Sequence, residues 1–228
     1  MLIVGNSVSQ SPAPGVDAYP ERLRALLGDG WDVTSVIRSG ATIEEMEPEV
    51  LAALRIQPDV VVLQVGINEC APRPLAPPAR ERLGMLRPLW LRHAIIRMVH
   101  RWRAQIIRWR PLAQVVPFDR FAASVGRIAR AVRSGGARLI VLPITEITAA
   151  AEQRTPFTNR EVARYNGALR ALAGDGVAWI DRETLWPGLA PADYCYAPET
   201  VHWSAAAHRR VAEYLGRSVE SAVGSVTS

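Results

Sequence analysis

Apolar residues fall along this chain in two rhythms. Short, nearly continuous apolar runs occupy residues 2–4, 59–65, 139–142 and 177–180, and residues 31–37 are rich in β-forming side chains. Runs of this kind, without strict polar alternation, predict parallel strands covered on both faces. The run 59–65 is the strongest and predicts a central strand. Between the runs, apolar residues recur at helical spacing. Leu23, Leu26 and Leu27 mark a helix over 19–27, and Gly28 ends it. Thr42 and Glu45 have the spacing of a capping box and open a helix that reaches about Ile56. An amphipathic helix over 118–132 stops at Ser134-Gly135-Gly136. Thr158 and Glu161 repeat the capping-box spacing before a helix that runs to about Ala173, and a last helix covers 204–219.

Five strands alternating with helices predict an α/β fold. Right-handed crossovers leave few topologies. The expected arrangement is a flavodoxin-like three-layer sandwich: a five-stranded parallel sheet in the order 2-1-3-4-5 with helices on both faces. No repeat or linker divides the chain, so residues 1–228 read as a single domain. No apolar run approaches the roughly 18 residues of a membrane span. The first strand begins at Leu2 with no basic leader before it, so the chain reads as cytoplasmic. Cys70 and Cys195 form neither a disulfide framework nor a metal-ligand set and read as free thiols.

Charge changes the picture in one place. All 27 basic residues are Arg, and the net charge is +5. Residues 80–110 hold nine Arg against one Glu, so the rest of the chain is slightly acidic. Basicity confined to one segment does not point to nucleic acid as a partner. That segment lies in a basic amphipathic helical insert at about 71–117. Leu91, Ile95, Met98, Val99, Trp102, Ile106 and Trp109 share one face at helical spacing. Arg92, Arg97, Arg101, Arg103 and Arg108 lie off it. Three readings stand: a helix packed on the domain, a wall over the site, or peripheral contact with an anionic membrane through residues 85–110.

Chemistry-bearing residues gather at the predicted strand ends. Ser7 follows strand one, Gly40 follows strand two, Asn68 follows strand three, and His202 precedes the last helix. In open α/β sheets, ligand sites lie at the carboxyl ends of the strands. Ester cleavage at a serine needs a nucleophile, a base and oxyanion donors. Ser7 is the candidate nucleophile, near the amino end of a following helix, and His202 the candidate base. The backbone N–H groups of Ser7 and Gly40, with the Asn68 amide, are the candidate donors. Arg73, five residues after Asn68, is a candidate for an anionic substrate group, and Cys70 for lining the pocket.

The pattern resembles the SGNH hydrolases, also called the GDSL esterase/lipase family. Gly5-Asn6-Ser7 is similar to the Gly-Asp-Ser block, Ser39-Gly40 to the glycine block and Gly66-Ile67-Asn68-Glu69 to Gly-x-Asn-Asp. Glu199-Thr200-Val201-His202 sits where the family has Asp-x-x-His. The resemblance spans essentially the whole chain. It implies a metal-free serine hydrolase without a cofactor, acting on a small-molecule or glycolipid ester, with Glu199 orienting His202. Three acids depart from the pattern: Asn6 for Asp in the first block, and Glu69 and Glu199 for Asp in the third and fourth. Asn6 is expected to support the turn. Two other readings use the same residues: an acyltransferase with an alcohol acceptor, or a non-catalytic binding protein that keeps the fold.

Overall fold

The computed structural model describes residues 1–109, 114–197 and 201–224. Five parallel strands, β1 (Leu2–Gly5), β2 (Thr34–Ile37), β3 (Val60–Gln64), β4 (Arg138–Val141) and β5 (Val177–Trp179), form one sheet in the order β2-β1-β3-β4-β5. This is the expected order. The central strands β1 and β3 are buried along their whole length, as their uninterrupted apolar character requires. Their register sets Gly5 beside Gln64, so both strands end at one level.

The helices are α1 (Tyr19–Leu27), α2 (Ile43–Ala53), α3 (Ile67–Cys70), α4 (Pro77–Met85), α5 (Leu89–Arg101), α6 (Arg103–Trp109) and α7 (Phe118–Ser134). They continue as α8 (Ala149–Arg154), α9 (Thr158–Arg170), α10 (Arg182–Leu185), α11 (Pro191–Tyr194) and α12 (Ala205–Gly224). Right-handed crossovers put the β1–β2 connection, which runs outward, on the opposite face from those that run toward β5. Accordingly α1 packs with α12, while α2 packs with α7 and α7 with α9.

Local chemistry sets most boundaries. Thr42 forms the predicted capping box: its N–H donates to Glu45 at 2.7 Å, and its hydroxyl accepts from the Glu45 N–H at 3.4 Å. A second carboxylate caps the same helix. Glu69 Oε1 accepts the N–H of Ile43 at 2.5 Å, which ties the end of β3 to the start of α2. Glu69 is buried, and its other oxygen has no partner. Burial pushes its carboxyl up to about 7, against the opposing effect of the backbone N–H groups it accepts from.

Two expectations are corrected. Thr158 is not a cap: its hydroxyl donates to the Thr155 carbonyl at 2.7 Å, and Phe157, with φ +69°, precedes the helix instead. Glu161 is turned inward and paired with Arg160 and Gln114, so the local spacing lost to tertiary partners. The insert is not one continuous amphipathic helix. It consists of α4, α5 and α6, and α5 stops at Trp102, whose backbone (φ −102°, ψ +16°) leaves the helical range. Among its predicted stripe, Val99 is buried, whereas Met98, Trp102 and Trp109 are exposed. The insert is fastened to the domain by α6 against α8 and by Arg103 Nε, which donates to Thr155 Oγ1 at 3.1 Å.

Two glycines are fixed by space. A methyl group on Gly5 would lie 2.2 Å from Ser9 Oγ, and one on Gly66 would lie 2.2 Å from Ile144 Cδ1 and 2.7 Å from its Cγ1. Gly66 also has φ +120°, which a side chain disfavours. Gly66→Ala is therefore expected to cost about 2–4 kcal/mol of stability by denaturant unfolding, and an unchanged midpoint would contradict this packing. Glu69 predicts a pH dependence. Its folded-state pKa, about 7, lies above the ordinary 4.5, so the folded state holds the extra proton and stability falls as pH rises through that window. Unfolding free energies at pH 5 and pH 8 should show this fall, and Glu69→Gln should flatten it.

Candidate active site

The carboxyl ends of β1 and β3 carry the site. After β1 the chain turns at Asn6, whose Oδ1 accepts the N–H of Val8 at 3.0 Å and caps a one-turn 3-10 helix, Ser7–Ser9. Asn6 thus supports the turn, as expected. The helix over 19–27 forms as expected, so Ser7 is not at its amino end. Pro12 and Pro14 interrupt the chain, and α1 does not begin until Tyr19. The help available to an anion is then the local N–H groups of a single turn, and not a long helix dipole. Ser9 locks that turn from below. Its buried hydroxyl donates to Gln64 at 3.0 Å and lies 3.3 Å from the Tyr19 hydroxyl. With Ser9 directed inward, Ser7 is left half-buried at the rim.

Asn68 lies in α3, directly after β3. Its Nδ2 donates to the Ala41 carbonyl at 2.8 Å. An amide nitrogen has two N–H bonds, so one remains for a ligand. Gly40 precedes Ala41 with φ +72° and is exposed. Gly40 does not line the cavity that holds Ser7; its loop joins the site through the Asn68 bond.

His202 reaches the same place from the far end of the chain. Its backbone is held by a short antiparallel bridge between Cys195 and Trp203. Tyr196 N–H donates to the His202 carbonyl, and Ser204 N–H to the Tyr194 carbonyl, both at 2.8 Å. Trp203 anchors the bridge: it is fully buried, its indole N–H donates to Thr145 at 3.0 Å, and its ring meets Trp186 and Tyr19. The His202 ring is left half-buried beside the cavity. Burial lowers its pKa below the usual 6.5, which favours the neutral, proton-accepting form.

Ser7, Asn68 and His202 line one cavity of about 350 Å³. No hydrogen bond joins Ser7 to His202; what the two share is the lining of this cavity. Apolar walls come from Ile67, Ile147 and Val201. Ile147 is set in place by Asn159, whose amide pairs with both its N–H and its carbonyl, at 2.8 and 3.0 Å. Glu199 lies outside the described residues. Arg73 does line the cavity. Cys70 does not: it is fully buried, its sulfur directed at the Ile67 carbonyl, and burial pushes the thiol well above its usual pKa. It is a core residue because α3 turns that face toward the interior.

Sequence reasoning missed one histidine and two arginines of the cavity: His100, Arg103 and Arg154. Arg103 had been assigned to the solvated side of a long helix. The break at Trp102 turns it inward instead. Arg154 carried no local signal at all. His208 is a structural residue. Its Nδ1 accepts the Tyr19 N–H at 3.2 Å, its ring stacks on Tyr19, and burial lowers its pKa to about 4. Among the described residues no group of three His, Cys, Asp or Glu side chains is placed to hold a metal ion, and no helix is long and apolar enough to cross a membrane.

Comparison with known proteins bears on the fold and the family. No curated protein matches the chain by sequence. Among solved structures, an acetylxylan esterase from Geobacillus stearothermophilus, in a catalytic-mutant form, superposes with a TM-score of 0.61 at 17% identity, covering 95% of this chain and 91% of that one. A putative lipolytic protein of the G-D-S-L family from Desulfitobacterium hafniense gives 0.61 at 13% identity, with 95% and 97% covered. A GDSL-like lipase from Bacteroides thetaiotaomicron gives 0.59 at 12% identity, with 97% and 87% covered. At such identities these likenesses establish the shared fold. The family model of the GDSL-like lipase/acylhydrolases matches residues 3–210, nearly the whole chain. The chain therefore belongs to the GDSL-like lipase/acylhydrolase family and is a serine hydrolase that acts on ester bonds.

Proposed function

We propose that the protein cleaves a carboxylic ester through an acyl-enzyme on Ser7, the acyl group being an O-acetyl or longer O-acyl on a sugar, lipid or secondary metabolite. The observation that carries this reading is that Ser7, Asn68 and His202, far apart in sequence, line one small cavity at the carboxyl ends of β1 and β3. In the proposed reaction His202 takes the Ser7 hydroxyl proton as the oxygen attacks the ester carbonyl. The C–O bond to the alcohol then breaks, and His202 returns the proton to the departing alcohol. Water attacks the acyl-enzyme by the same route and releases the acid. Glu199 is assigned to orient the imidazole. The oxyanion is assigned to the N–H groups of Ser7 and Gly40 and the free N–H of the Asn68 amide.

The cavity lies near the lower end of the range for small-molecule sites. Its apolar side, formed by Ile67 and Ile147, suits a short acyl chain, and its cationic side suits a polar alcohol part.

Two outcomes test the mechanism. A fluorophosphonate should label the wild type at Ser7, and Ser7→Ala should lose labelling together with about 10³-fold or more of kcat on 4-nitrophenyl acetate. Equal rates for the two proteins would remove the mechanism. The second concerns pH. The base must be neutral to accept a proton, and burial holds His202 below 6.5. The acid limb of kcat/KM should therefore have its midpoint below 6.5. A midpoint above that value would show that the active base is held by a different environment.

A further inference from the structure

Beside the proposed catalytic cavity lies a second one, of about 460 Å³, under α4, α5 and the start of α6. The two cavities share Arg73, His100 and Arg103 as a common wall. Arg80 and Arg92 complete the cationic lining of the second, with His93 also at its wall, over an apolar floor that includes Leu83, Ile96 and Val99. Among the described residues no Asp or Glu lines either cavity.

The missing counter-charge is the informative feature. Several arginines elsewhere in the protein do find carboxylates: Arg120 forks onto Glu44, Arg127 onto Glu47, and Arg170 meets Asp181. Among the described residues, Arg73, Arg80, Arg92 and Arg103 have no such ion pair. Two of them are held by neutral oxygens: Arg92 Nη1 donates to the Gly84 carbonyl at 3.0 Å, and Arg103 Nε to Thr155 Oγ1. Arg73 is half-buried, and its Nε is buried with no acceptor. Desolvation, then the nearby Arg80 charge, lowers the Arg73 pKa; desolvation, then Arg73 and Arg154, lowers that of Arg103. Crowding like charges at a partly dry wall costs stability unless an anion joins them. Guanidinium groups present paired N–H donors that match a carboxylate or phosphate.

We propose that the ester substrate carries an oxyanionic group, a phosphate or a carboxylate, which sits on the Arg73–Arg80–Arg103 wall while its ester carbonyl lies over Ser7. The inference rests on the esterase reading and names the substrate class for that site. Arg73 and Arg103 border both cavities, so an anion there lies on the path between them. The apolar floor of the second cavity takes the carbon framework that carries the charge.

The test compares phenyl acetate with 4-acetoxyphenyl phosphate, and 4-nitrophenyl butyrate with mono-4-nitrophenyl succinate. The first pair places the charge on the alcohol side and the second on the acyl side. Wild type should favour the anionic member of at least one pair by about tenfold in kcat/KM. The preference should fall about tenfold in Arg80→Ala, chiefly through KM, and should shrink as salt is raised. Arg80 is exposed, so its loss does not threaten the core. Arg97→Ala, at an exposed position of α5 that lines neither cavity, should keep the preference.

Equal kcat/KM within both pairs overturns the inference while leaving the esterase reading intact. If no ester is turned over, the esterase reading fails. Calorimetric binding of 4-acetoxyphenyl phosphate then decides the inference alone. Binding weakened about tenfold by Arg80→Ala upholds an anion subsite, and absence of binding overturns it. Inorganic phosphate that speeds neutral esters without competing with anionic ones would assign the wall to a free effector and also overturn it.

Discussion

Two adjacent side chains at the end of β3 hold the site together. Asn68 donates to the Ala41 carbonyl and Glu69 accepts the Ile43 N–H, so one short helix grips both ends of a three-residue stretch after β2. Strands β2 and β3 are not neighbours; β1 lies between them. The grip therefore reaches across the end of β1, above which Ser7 turns. Backbone groups at such a loop would otherwise be satisfied by water, and the loop would be free to move. With the clamp closed, the loop that carries Gly40 is tied to Asn68, which lines the same cavity as Ser7. Preorganised donors of this kind need no rearrangement as charge develops on a substrate.

His202 is positioned by different means. It sits on a loop, and a loop residue is imprecise unless something ties it down. Trp203, the next residue, supplies the tie by burial and by its bond to Thr145. Thr145 belongs to the segment that follows β4, so His202 is referenced to the sheet just as Ser7 and Asn68 are. The apolar anchor and the half-exposed imidazole are neighbours in sequence, the first buried and the second beside the cavity. An indole in the core thus leaves the imidazole on the cavity side.

The strand order and the placing of Ser7, Asn68 and His202 could be read from the chain because they depend on local signals: apolar runs, and polar residues at their ends. What could not be read depends on contacts between distant segments. Thr158 and Glu161 have capping-box spacing, yet Gln114 and Arg160 claim the carboxylate. The stripe from Leu91 to Trp109 obeys helical periodicity, yet the chain breaks at Trp102 and the stripe divides, with Val99 inside and Met98 and Trp109 outside. Arg103 turned into the cavity for the same reason. Cys70 looked like a neighbour of the site in sequence, but two positions along a helical turn reverse the direction of a side chain. Arg154 gave no sign, because nothing near it in sequence distinguishes a cavity arginine from a surface one.

The departure from aspartate at position 69 has a physical explanation in the same clamp. The carboxylate must span from α3 to the first N–H of α2, and it does so at 2.5 Å with the longer glutamate side chain. The contact satisfies a donor that a helix start leaves open, and the negative end suits the helix amino terminus. The cost is a buried carboxyl whose second oxygen is unpartnered and whose pKa rises to about 7. A shorter side chain at that position would have to draw α2 closer to β3 or give up the bond. The extra methylene is then a spacing element between α3 and the start of α2, beside the bond by which Asn68 holds the Ala41 carbonyl.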